Sequence, residues 1–444
     1  MKMNLRRLIT AGATGGVGVV FAMSLASAGA EEEVEFVEIT PEVGAEVSGS
    51  ILEKSGDGYS LGGVIFPHLH VFSAYGFSSA EDGDLAVNDH DPQRDVTLQG
   101  LETGASLRAG MLQGFVTGSG ITDSEGDFSF TLEEAFLKLV DLPMGFELRG
   151  GQYLNRFGFQ NSVHNHGWSN IDQNLVNGRF LNEGEMITRG VEISWNVPIA
   201  AMQSSLISLS VGRAETHAHS HGEEEHEDES EFEAEGANFS DTAVTASWIN
   251  QYDIDDMNRV TGVVSAAWGD NEYGRTSQVY GIGVEYLWRE NGYGVGGNSI
   301  RWRNEMMYRQ FGAISGHLPG EEEDDHDHEE EDHDDHDEED HDDEDHDDEA
   351  SRRDSFSEFG FYSSLTYGID DSVDLGLRAG WVSGISDVGL DSRFRLSPSV
   401  SWYVNESRTV QTRLQYNWDQ SNDFGDEHSV WFQVGFNLGG AEVR

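Results

Sequence analysis

Cysteine is absent from the 444 residues, which removes both a disulfide framework and thiolate metal ligation. Basic residues are scarce: 26 Lys and Arg stand against 82 Asp and Glu, for a formal net charge of -56. Such a chain repels phosphate, so nucleic acid is excluded as a partner. Proline is rare, 7 residues beside 53 glycines, which is not the composition of a proline-rich disordered linker. Past Leu25 no segment stays apolar for the roughly 18 residues that a transmembrane helix requires. Catalytic signatures are missing as well. There is no Gly-x-Ser-x-Gly elbow, His-Glu-x-x-His pair, phosphate loop or dinucleotide fingerprint, so neither an enzyme nor a tightly bound cofactor is expected.

What the chain does carry begins at its N-terminus. Lys2, Arg6 and Arg7 precede an uncharged, largely apolar run from Leu8 to Leu25, and two small-x-small sites follow, Ala26-Ser27-Ala28 and Ala28-Gly29-Ala30. This is the pattern of a secretory signal peptide over 1–30, cut before the acidic Glu31-Glu32-Glu33. Residues 31–60 are polar and too short for a folded domain, and are expected to form a periplasmic extension ahead of a barrel at 61–439.

From about residue 61 the apolar residues recur with period two. In 392–402, Phe394, Leu396, Val400 and Trp402 share one face, opposite Arg393, Arg395, Ser397, Ser399 and Ser401. In 430–438, Val430, Phe432, Val434, Phe436 and Leu438 oppose Gln433, Gly435 and Asn437. A soluble sandwich also alternates. Three features favour a membrane barrel instead. The strands have the length that a tilted strand needs to cross a bilayer. Trp195, Trp288, Trp402 and Trp418 sit near strand ends on the apolar face, as interfacial girdles require. The other face carries Arg and Glu, which a water-filled lumen tolerates and a dry core does not. The fold class is therefore all-β: a transmembrane antiparallel outer-membrane β-barrel of about sixteen strands. The long connections, 77–95, 155–187, 214–240 and 312–354, all fall on the same side, as outer loops do, and the intervening ones are short turns.

Two of these loops are extreme in composition. Residues 321–349 hold 23 acids and six histidines, His326, His328, His333, His336, His341 and His346, and nothing else. Residues 215–235 hold ten acids with His217, His219, His221 and His226. Neither can bury apolar surface, so both are expected to be disordered and solvated without a ligand. Close-spaced imidazoles supplemented by carboxylates suit zinc, copper or nickel in several exchangeable sites, with zinc favoured. The alternative is a charged tether that keeps the surface repulsive.

Four further histidines are candidates. His68 and His70 share one face of the first strand, as lumen ligands or as polar wall residues. His164 and His166 lie in the aromatic connection Phe157-Gly158-Phe159-Gln160-Asn161-Ser162-Val163-His164-Asn165-His166-Gly167-Trp168, which either contacts a metal or substrate or packs into the barrel to fill space. Arg301, Arg303, Arg309, Arg378, Arg393, Arg395 and Arg413 all face inward, either lining a constriction or pairing with inner acids such as Glu285, Glu305 and Asp374.

The stretch Leu132-Glu133-Glu134-Ala135-Phe136, Phe146-Glu147-Leu148-Arg149-Gly150-Gly151-Gln152, Arg156-Phe157-Gly158, His164-Asn165-His166-Gly167-Trp168 and Leu175-Val176-Asn177 resembles bacterial outer-membrane proteins labelled zinc-regulated TonB-dependent receptors or porin-like proteins. The resemblance implies metal-linked uptake at the outer membrane. Receptors of that kind carry a plug domain and a 22-stranded barrel, which 414 residues with these loops do not hold, and Glu35-Phe36-Val37-Glu38-Ile39 is only a faint TonB-box likeness. Location and metal link are carried over; energised transport is not.

The expected protein is thus an outer-membrane porin or receptor, surrounded by lipid and forming a homo-trimer if the porin analogy extends that far. Its outer loops gather divalent metal and pass it through the pore. A general small-solute porin and a non-transporting adhesion or metal-buffering surface protein are the alternatives. Calorimetric zinc titration should lose several equivalents when residues 321–349 are deleted; unchanged binding would assign that segment to surface charge alone.

Overall fold

In a bilayer every backbone N–H and C=O must be paired within the protein, so alternating strands of this length have one stable arrangement, a sheet closed on itself. The computed structural model shows that arrangement. It describes residues 52–55, 58–80, 85–182, 184–215, 235–292, 297–314, 353–405 and 408–439. Sixteen antiparallel strands run from Ile65–Ser78 to Gly425–Leu438, each paired with its sequence neighbour. The last strand pairs back onto the first, Trp431 against Gly76 and Gly435 against Phe72, which closes the barrel. Two short strands, Leu52–Ser55 and Gly58–Leu61, make a hairpin just ahead of it, at the end of the stretch expected as an extension. The expected signal peptide lies outside the described residues.

Burial follows the period-two pattern with the sign that lipid imposes. In Thr276–Arg289 the apolar Ile282 and Val284 are exposed outward. In Val373–Val382, Leu375 and Leu377 are exposed while Arg378, which follows them, is buried inside. Trp248, Trp302 and Trp402 are exposed toward the end with short turns, and Tyr75, Phe77 and Phe128 toward the other, forming two aromatic girdles around an aliphatic band. Trp195, Trp288 and Trp418 lie in the same outward register.

The interior is not an open tube. The connection 155–186 turns inward, and the short helix Leu175–Phe180 packs against the wall. Phe157, Leu175, Val176, Phe180, Leu181 and Met186 form a buried apolar cluster with wall residues that include Phe239, Val279, Met307 and Tyr362. Gly158 allows this close approach. It takes φ +62°, and a Cβ there would meet Glu305 Oε1 at 1.8 Å. Of the two roles open to this aromatic connection, packing into the barrel is the one seen: its apolar helix forms a small dry core with apolar residues on one side of the wall.

Val264 and Ile282 face each other across neighbouring strands and both point outward. Replacing either by Arg should cost about 2–4 kcal/mol of folding stability if they sit near the bilayer midplane. The measurement is urea unfolding in lipid vesicles, and an unmoved midpoint would show that this face does not meet lipid.

Candidate functional site

The inward segment divides the lumen into two chemically distinct halves. On one side it is clasped by arginines from strands late in the chain. Asp172 accepts hydrogen bonds from Arg378 Nη2 at 2.6 Å, Arg395 Nη1 at 2.7 Å, Gln415 Nε2 at 2.6 Å and Asn417 Nδ2 at 2.9 Å. Arg378 Nη1 also donates to the carbonyls of Asp172 and Gln173, and Arg413 donates to those of Trp168 and Asn170. Arg393 and Arg395 share Asp419, and Arg309 pairs with Glu358. Burial opposes the charge on Asp172, but Arg378 and Arg395 outweigh it and hold the carboxyl below its usual range. The clasp is therefore in force above the ordinary carboxylate range and is lost only as pH falls below it.

Of the inner-face arginines, Arg378, Arg395 and Arg413 thus hold the inward segment, and Arg393 and Arg395 both donate to the Leu85 carbonyl of the preceding connection. Arg303 pairs with Glu285 at 2.7 Å, as the sequence allowed.

On the other side the segment meets the first strands of the barrel, where histidines and glutamates gather beside Arg149 and Arg156, both paired with Glu192. Glu102 belongs to Val96–Ala109, and Glu133 and Glu134 to Phe128–Leu142; all three are buried. His164 reaches Glu133 Oε2 with Nδ1 at 2.9 Å and Glu134 Oε2 with Nε2 at 2.8 Å. His166 Nδ1 lies 2.5 Å from Glu102 Oε2. The His166 ring stacks on that of His70, with centroids 3.9 Å apart, and the His70 ring lies 5.6 Å from that of His68. His70 Nδ1 hydrogen-bonds Asn437 Oδ1 at 2.8 Å, and His68 Nε2 hydrogen-bonds Thr117 Oγ1 at 3.1 Å. Asn165 fixes the register by donating to the Gln99 carbonyl at 2.7 Å, and Gly100 makes room for it.

A second inward stretch, 85–95, adds His90. Its Nε2 lies 3.4 Å from Glu133 Oε1 and 3.6 Å from Glu185 Oε1. Burial disfavours charge on this imidazole, but the hydrogen bond with Glu133 and the negative charges of Glu185 and Glu133 prevail and raise it to about 10. The surroundings are built for positive charge.

All four of the lesser histidine candidates, His68, His70, His164 and His166, therefore converge in one place. His70, Glu102 and His166 form one set of closely spaced donor atoms, and His90, Glu133 and Glu185 another. The ten loop histidines, His217, His219, His221, His226, His326, His328, His333, His336, His341 and His346, lie outside the described residues. His90, Glu102 and Glu185 were not singled out from the sequence, since each stands alone in a stretch without motif spacing. Glu133 and Glu134 were quoted only as part of the resemblance.

Toward the end with short turns the segment roofs a polar cavity of about 190 Å³, bounded by His166, Trp168, Arg301, Asp374, Ser401 and Arg413 among others. His166 is thus reached from that side.

No protein-family model matches the chain. A 69-residue segment is 39% identical to an uncharacterized protein of Aquifex aeolicus, covering 16% of this chain and only 14% of the relative. Among solved structures, an anion-selective porin from Comamonas acidovorans superposes over 84% of this chain and 99% of its own at 8% identity and a TM-score of 0.50. OmpF of Salmonella typhi, in complex with daunomycin, covers 87% of this chain and 100% of its own at 9% identity with a TM-score of 0.49.

Asp172→Ala would leave two buried guanidinium groups without their shared carboxylate, at a cost of about 3–5 kcal/mol. The expected outcome is a barrel that still forms, with an inward segment that becomes cleavable by added protease; a segment as resistant as in the parent would disprove the clasp. Together with the lipid-facing band, the comparison with the Comamonas porin shows a sixteen-stranded β-barrel of the outer-membrane porin fold.

Proposed function

We propose that the protein is a porin-type channel of the outer membrane whose constriction selects divalent cations, zinc foremost. The acidic, histidine-rich loops 215–235 and 321–349 supply them by raising the local cation concentration. The observation that carries this reading is the convergence of His68, His70, His164 and His166 with Glu102 and Glu134 inside the lumen, with His166 open to the cavity beyond. Imidazole and carboxylate together suit first-row divalent ions. A soft, stacked pair such as His70 and His166 offers donors that exchange rather than cage an ion. The two sides of the inward segment have separate tasks in this scheme: the arginine clasp holds it, and the histidine side meets the solute.

A second reading rests on the cavity itself. Its lining of Arg301, Arg413, Asp374, Ser399 and Ser401 is polar and mixed in charge, which suits a general channel for small solutes.

Planar-bilayer recording separates the two. The divalent reading expects cation-selective currents that zinc reduces, with the zinc concentration required rising by at least about tenfold in a His164→Ala/His166→Ala variant. Currents indifferent to zinc in both proteins would leave the general channel.

A further inference from the structure

The His90 group differs from the rest of the histidine cluster in its position and in its geometry. His90 comes from the stretch 85–95, Glu185 from the inward segment and Glu133 from the wall strand Phe128–Leu142. The three side chains are buried, at 5%, 7% and 4% exposure. A bond length of roughly 2.0–2.2 Å to nitrogen or oxygen puts tetrahedral neighbours on one ion about 3.3–3.6 Å apart. His90 Nε2 stands 3.4 Å from Glu133 Oε1 and 3.6 Å from Glu185 Oε1, so these donors are already at the spacing of a shared ion.

Three independent features support the geometry. His90 Nδ1 donates to the backbone carbonyl of Gln99 at 2.6 Å. That bond fixes the ring and leaves Nε2 facing the two carboxylates, the outer-shell arrangement typical of metal-bound histidine. A small enclosed space of about 20 Å³, bounded by Asn88, His90, Ser119, Thr131, Glu133 and Glu185, adjoins the donors. It is large enough for a single water as fourth ligand. The other oxygen of Glu133 pairs with His164 Nδ1 at 2.9 Å, which holds the carboxylate with Oε1 toward His90.

We infer that His90, Glu133 and Glu185 form a resident site for a divalent zinc-class ion, completed by one water, that pins two outer connections to the barrel wall. The ion would be structural rather than carried. It joins His90 to the inward segment beside a contact the two already share, Gln173 N donating to Asp91 at 2.7 Å, and so adds a second tie between them. The site does not depend on the channel passing metal.

The test uses the full-length protein, stripped with a chelator and crystallised after addition of one to two equivalents of zinc. Anomalous difference maps at the zinc edge should show a peak bounded by His90 Nε2, Glu133 and Glu185, irrespective of what the acidic loops bind. Glu185→Gln keeps the shape of the side chain and should lose the peak, while His90→Ala should do the same. Heat-dependent gel mobility establishes that each variant has formed its barrel. Equilibrium dialysis should show the tightest zinc equivalent weakened by about ten- to a hundredfold or more in both variants. A map without density there at full zinc occupancy elsewhere, or a peak that survives Glu185→Gln and His90→Ala, overturns the assignment. A peak at this site together with zinc-indifferent bilayer currents would uphold it while removing the divalent channel reading; the reverse pair of results would do the opposite.

Discussion

The structure depends on the requirement that no backbone polar group be left unpaired in hydrocarbon. A sheet with a free edge cannot meet that requirement, so the strand Gly425–Leu438 must find Ile65–Ser78. Closure then fixes the rest. With period two, each residue faces either lipid or lumen, and polar side chains, arginines included, are driven inward. Twenty-six basic residues in a chain of this acidity would be expected mostly at the surface, yet Arg378, Arg395 and Arg413 are among its buried side chains. They are affordable there because the lumen supplies Asp172, Asp419 and loop carbonyls, and such pairs are far costlier to break than to leave out.

The lumen is accordingly organised by charge type. Arginine, planar and permanently charged, forms bidentate and forked bonds that anchor the inward segment. Histidine, weakly basic and able to carry a proton, a hydrogen bond or a metal on either nitrogen, gathers with glutamate on the other side. The same 32-residue segment contributes Asp172 to one and His164, His166 and Glu185 to the other, which couples the two halves mechanically.

Much of this was legible in the sequence. The count of about sixteen strands was legible, because alternation such as Phe432, Val434, Phe436 against Gln433, Gly435, Asn437 has no competing helical reading. The side on which long connections lie was likewise set by their order. His68 and His70 were found from their spacing on one strand, and His164 and His166 from theirs in one loop. Their meeting was not, since the aromatic composition of 157–168 allowed the loop to fold in but did not say which wall residues it would meet. His90 and Glu185 were missed for the same reason: each is a single polar residue in a polar stretch, given meaning only by partners 43 and more positions away. Of the two roles the sequence left open for the arginines, pairing holds for Arg303 with Glu285, but the acid that pairs Arg378 and Arg395, Asp172, lies in the inward loop and could not be read from neighbouring strands.

The seam between first and last strands has a consequence for biogenesis. Asp172 bonds to Arg378, 206 positions further along the chain, while its neighbour His164 bonds to Glu134, 30 positions back. The inward segment therefore cannot reach its final partners until nearly the whole polypeptide has been delivered, and it cannot enter easily once the wall has sealed. Such long-range pairing makes for slow maturation. The segment would act as an internal mandrel around which the late strands are gathered, so that filling the lumen and closing the wall are a single event.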